Sequence, residues 1–98
     1  MSVYAKRYVY FARGQVSGLV KIGFSQCVRQ RVKQLSTDER ERVSVLAVMP
    51  QKCRGHELAI YKDFARMRVR GEWFRPGRRL LRYVADVRRK YPRLSGAK

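Results

Sequence analysis

Two short runs of β-forming residues flank a glycine-bearing loop, and they set the frame for the rest of the chain. Tyr8-Val9-Tyr10-Phe11-Ala12 and Leu19-Val20-Lys21-Ile22-Gly23 are rich in branched and aromatic side chains, and the segment between them, Arg13 to Gly18, holds Gly14 and Gly18. Strand, loop and return strand predict an antiparallel hairpin. Pairing Arg13 with Gly18 puts Tyr10 opposite Lys21 on one face, with Cβ atoms ~5 Å apart.

After the hairpin the period changes. Val28, Val32 and Leu35 recur at i, i+4 and i+7 and predict a helix over Cys27–Leu35, with Ser25 as its N-cap. Arg31 falls at the edge of that apolar stripe. Ser36 to Arg42 is a charged connection. Val43 to Met49 is apolar almost throughout and stops at Pro50; such a run predicts a central strand covered on both faces. Gln51 to Gly55 reads as a loop. His56 to Met67 reads as a second helix with Ile60, Tyr61, Phe64 and Met67 inward. Arg70 to Phe74 is a turn and a short extended piece. Pro76-Gly77 opens a third, basic helix over about 77–91, with Leu80, Val84, Val87 and Tyr91 on one face; Pro92 ends it and 93–98 reads as a frayed tail. The order is ββαβα plus a C-terminal helix: α+β, in one domain spanning 1–98.

Charge says what such a domain meets. Lys and Arg number 24 against 7 Asp and Glu, a formal charge of +17 on 98 residues. That excess calls for a polyanionic partner, whether DNA, RNA or an anionic membrane, and argues against small neutral substrates. At 45 % apolar and 11 % aromatic residues, the chain is not a disordered basic arm. No run approaches a membrane span, and no secretory leader is legible. Cys27 and Cys53 stand outside any CxxC and read as reduced thiols of a cytoplasmic protein, nucleoid-associated or in host cytoplasm if phage-encoded. One His, His56, is too few for structural zinc. From Arg66 onward, twelve Lys and Arg face only Glu72 and Asp86. Arg66, Arg68, Arg70, Arg78, Arg79, Arg82, Arg88 and Arg89, joined by Arg29 and Lys33 on the first helix, are the candidate phosphate contacts. Oligomeric state is not legible.

A few residues break the local pattern. Glu57 sits near the centre of the apolar stripe formed by Tyr61 and Phe64. It is either a first-turn acid favoured by the helix dipole or a carboxylate held for a divalent cation. Lys21 interrupts Leu19-Val20-Lys21-Ile22; it is either an ordinary solvent-facing strand residue or an ammonium placed to lower the pKa of Tyr10. Tyr8 and Tyr10 alternate with Val9 and Phe11, as packing tyrosines also do.

Taken in order, Tyr8-Val9-Tyr10, Lys21-Ile22-Gly23, Arg31, Glu57 and Gly71-Glu72-Trp73-Phe74 resemble the GIY-YIG nuclease superfamily, in its small phage and bacterial branch with KIG and GEWF motifs. The resemblance spans about residues 8 to 85. It implies a three-stranded antiparallel sheet flanked by helices and metal-dependent hydrolysis of DNA phosphodiesters. Carried over, Tyr10 is the general base or water-orienting phenol, Lys21 stands at the second motif's tyrosine, Arg31 binds the scissile phosphate, and Glu57 holds one Mg²⁺ or Mn²⁺. Tyr8, Ser25 and His56 are possible accessories. The first motif lacks its leading glycine, Leu35 and Phe24 stand where relatives carry His or Tyr, and the chain has no Asn. The alternative is a catalytically degenerate DNA-binding or architectural protein on the same fold.

Overall fold

A computed structural model describes residues 6–53 and 55–96; residues 97 and 98 of the expected tail lie outside them. The chain forms β1 (Tyr8–Gly14), β2 (Val20–Ser25), α1 (Val28–Asp38), β3 (Val43–Pro50), α2 (His56–Asp63), β4 (Arg68–Arg70), β5 (Trp73–Phe74) and α3 (Arg78–Lys90). The α+β class and the element order stand as the sequence implies. The sheet is larger than the expected three strands. Two short strands extend it to five, all antiparallel, in the order β3-β1-β2-β5-β4. They form because Gly71 takes a positive φ of 47°, which lets the chain turn tightly between Arg70 and Trp73.

Strand alternation sorts the apolar residues into two cores. On one face Val9, Phe11, Val20, Ile22 and Phe74 pack with Ile60 and Phe64 of α2 and with Leu80, Val84 and Val87 of α3. On the other, Tyr10, Ala12, Val48 and Trp73 pack with Val32 and Leu35 of α1. The layers are therefore α1, sheet, and α2 with α3. A fully buried apolar side chain of this kind contributes about 1.5–3 kcal/mol.

Four expectations are corrected. First, β1 and β2 pair two residues out of the expected register, so Tyr10 faces Gly23 and Lys21 faces Ala12. The loop is wider than its glycines imply, and a shift of two leaves every side chain on its expected face. Second, β3 is an edge strand, not a central one. Its apolar run reflects α1 and α3 covering its two faces, and Pro50 fits an edge position. Third, α1 is capped at Cys27; Ser25 Oγ instead accepts from the Cys27 N–H at 3.0 Å, one step before the helix. Fourth, the second helix ends at Asp63 and passes through a 3-10 turn, Ala65–Met67.

The segment after α3 is not frayed where the structure describes it. Ser95 is buried; its hydroxyl accepts from Val48 N–H at 2.9 Å and donates to Val48 C=O at 3.2 Å. The β1–β3 register shifts between Phe11 and Ala12, leaving Leu46 as a bulge, and the Leu46 carbonyl accepts from Arg88 Nη1 at 2.7 Å. The outer edge of β3 is thus closed by a side chain and a guanidinium rather than by another strand.

Candidate functional site

The site grows from the close approach of β1 to β2. Gly23 lies under the Tyr10 ring: a Cβ at Gly23 would stand 2.6 Å from the phenol carbon and oxygen. Glycine here gives the tyrosine room to lie flat across the neighbouring strand. Tyr10 is 1 % exposed, and Arg31 on α1 is near enough for its charge to act on the phenol. Burial raises the phenol above its ordinary value, the charge and hydrogen bonding of Arg31 pull it back only in part, and Glu72 adds to the rise.

Lys21 does not supply the cation expected for Tyr10. It is only 7 % exposed, and its Nζ donates to Glu72 Oε1 at 2.7 Å. The other Glu72 oxygen, Oε2, accepts from Tyr61 OH at 2.8 Å, and the Ile22 carbonyl lies 3.1 Å from the same hydroxyl. One phenolic hydrogen serves two acceptors, so it cannot satisfy both fully. Burial by itself would raise the Glu72 carboxyl, but hydrogen bonds from Lys21 and Tyr61 and the charges of Lys21 and Arg31 hold it below the usual range. Tyr61 is pushed well up, by burial first and then by the Glu72 hydrogen bond and the charges of Glu72 and Glu57. Trp73 packs under this group, with Lys21 Nζ 5.8 Å and the Arg70 guanidinium 5.6 Å from its ring centroid.

Glu72 sits just before β5 and joins the two layers: Lys21 lies on the α1 face, while Tyr61 belongs to α2. Sequence reasoning took Tyr61 for a core residue and Glu72 for a motif letter. The available signal was Tyr61 at i+4 from Glu57; nothing local pairs Glu72 with Lys21, 51 positions away.

Glu57 stands in the first turn of α2, half-buried, and accepts from Gln51 Nε2 at 3.0 Å. Gln51 Nε2 also donates to the Cys53 carbonyl, which fixes the amide's orientation and leaves the enclosed Gln51 Oε1 with no donor. The Glu57 carboxylate is a hard oxygen donor of the kind Mg²⁺ accepts, while the Gln51 amide turns its NH₂ rather than Oε1 toward it. Among the described residues no three of His, Cys, Asp and Glu cluster to form a metal cage, so a cation here would draw its remaining ligands from water and substrate. Among the described residues, no hydrogen bond or ion pair joins Glu57 to Tyr10, Lys21 or Arg31.

An open cleft of about 520 Å³ lies along the N-terminal half of α1, and of Tyr10, Lys21, Arg31 and Glu57 only Arg31 lines it. Ser25 also lines it. Tyr8 starts β1, half-buried against the α1-side core. His56 is held by the fold, its Nδ1 accepting from the Lys52 N–H at 3.2 Å; burial lowers its pKa.

The basic residues divide in the same way. Arg68, Arg70, Arg79, Arg88 and Arg89 are exposed, yet each donates to a carbonyl or carboxylate of the protein. Arg29, Lys33, Arg66, Arg78 and Arg82 are exposed and make no such bond among the described residues. Arg29 and Lys33 share the α1 layer with Arg31, whereas Arg78 and Arg82 ride on α3 across the sheet.

Residues 7–91 match the T5orf172 domain. The chain belongs to the T5orf172 domain family. This domain is found in endonuclease-associated proteins of phages and bacteria. No curated protein matches the chain, and no solved structure does. The T5orf172 match covers every element from β1 through α3, and so includes all the residues of the site just described.

Proposed function

We propose that this T5orf172 domain is a metal-dependent DNA endonuclease of the GIY-YIG type that holds DNA mainly by its backbone. The observation that carries the reading is exposed Arg31, which lines an open cleft and whose charge also acts on the buried Tyr10 phenol. Arg31 neutralises the scissile phosphate and the charge that grows on its oxygens. Tyr10 orients the attacking water, and because burial raises its pKa, it works as a neutral phenol except under alkaline conditions. Lys21, neutralised by Glu72, is a structural cation that fixes Trp73 and Tyr61 at the base of the site. Glu57 would hold a Mg²⁺ or Mn²⁺ ion. Such an ion, when bound, would supply charge for the leaving oxygen.

A second reading, DNA binding without cleavage, draws on the same pair. A phenol raised by burial keeps its proton, and Lys21, paired with Glu72, does not help to remove it. The two are separated by a plasmid-nicking assay with a metal series. The nuclease should nick with Mg²⁺ or Mn²⁺, and Arg31→Ala or Glu57→Ala should abolish nicking while DNA retention persists. Retention without any metal-dependent nicking refutes the nuclease. Binding that ignores added salt refutes backbone recognition.

A further inference from the structure

The cleft on α1 is not lined as a phosphate groove would be. Besides Arg31 it presents Arg7, Phe24, Gln26, Gln30 and Gln34. Gln30 and Gln34 stand one turn apart on α1 and Gln26 just before it; all three are exposed, and their amides make no hydrogen bond among the described residues. A backbone site asks for cations, whereas neutral amides with a free donor and a free acceptor match base edges, and glutamine pairs with adenine through both. Phe24 is an exposed aromatic at 37 %, and the Arg7 guanidinium lies 5.6 Å from its ring centroid. The guanidinium covers one face of that ring, so a base stacks on the guanidinium's outer surface or takes its place on the ring. In an intact duplex the base faces are already stacked and not available to them. The volume lies within the ~300–1,000 Å³ of small-ligand sites.

We infer that this cleft is a nucleobase pocket: it takes one unpaired base of a DNA strand, stacked on Phe24 and read by the glutamine amides, while Arg31 holds the adjoining phosphate. The inference rests on the nuclease reading and narrows its substrate to DNA carrying an unpaired nucleotide. It explains why stacking and hydrogen-bonding groups collect beside Arg31, whose charge acts on Tyr10.

Fluorescence anisotropy tests it on the Glu57→Ala protein, which keeps the DNA intact. The probes are a perfect duplex, the same duplex with one bulged adenosine, and free dAMP as competitor. The bulged duplex should bind roughly tenfold more tightly, as one base stacked on an aromatic ring provides. Adding Phe24→Ala should abolish that preference, and Gln30→Ala should reduce it, with perfect-duplex affinity unchanged. Both positions are exposed, so neither change threatens folding. Equal affinity for the two duplexes, or a preference that survives Phe24→Ala, overturns the pocket. Ready displacement by dAMP overturns the strand in favour of a free nucleotide. Tight but indifferent binding by a protein that still nicks plasmid sinks the pocket and spares the nuclease; no DNA binding at all refutes both.

Discussion

Replacing Glu72 by Gln isolates the electrostatic worth of the carboxylate that joins the layers. The amide keeps the shape. Its oxygen can face Lys21 and its NH₂ can donate to Tyr61, whose hydrogen then turns wholly to the Ile22 carbonyl, already 3.1 Å away. What is lost is the counter-charge of a lysine with an 8 % exposed side chain. Stripping one partner from a fully buried pair costs about 3–5 kcal/mol. The Glu72 side chain is 39 % exposed, so water reaches the vacated side and the expected loss falls to about 2 kcal/mol. For a chain of this size that is roughly 8–16 °C in Tm. Lys21→Met should cost less than Glu72→Gln, because the orphaned carboxylate keeps Tyr61 and solvent. The double variant should be about as stable as Lys21→Met alone, a coupling that urea melts of the four proteins would measure. Little change in Glu72→Gln, or losses that simply add, refutes the claim that Lys21 depends on Glu72.

Gly23→Ala should destabilise by about 1–3 kcal/mol and turn Tyr10 off its strand, seen in thermal melts and near-UV circular dichroism, because the new methyl meets the ring at 2.6 Å. Ser95→Ala should cost about 1–3 kcal/mol by leaving the N–H and C=O of Val48 unpaired, with a lower urea midpoint and added self-association by light scattering. The Glu72 and Glu41 carboxyls are held below their ordinary 4.5, Glu72 by Lys21 and Tyr61 against its burial and Glu41 by the backbone N–H groups of Ser17 and Val16. Their folded forms bind fewer protons than the unfolded chain, so the stability they contribute is present above pH 4.5 and is lost as pH falls through the lower folded values. Urea midpoints that stay flat on acidification would contradict this.

How much of this was legible depends on range. The helices announce themselves through Val28, Val32 and Leu35, and through Leu80, Val84 and Val87, because helical periodicity is local. Pairing is not. The glycines of the hairpin loop give its existence but not its register, so Lys21 took the place that Gly23 holds. The apolar run of β3 reports how many faces are covered, not whether a strand lies on each side. Arg31, Tyr10 and Glu57 carry signals of type and spacing. The ion pair that defines Lys21 joins β2 to the residue just before β5, and no window of sequence contains both.

The split of cations between the two sides of the sheet has a consequence for any polyanion. Arg29, Arg31 and Lys33 are exposed on one helical layer, and Arg78, Arg79 and Arg82 on the opposite one. One molecule therefore carries two cationic surfaces that point apart. Such a particle would be bivalent toward a polyanion that bound both: long strands would be crosslinked near equivalence, and excess protein would coat every strand, leave the second surfaces with no free strand and dissolve the network. Turbidity should rise and then fall along a titration, and affinities read across that hump would describe the network rather than the site.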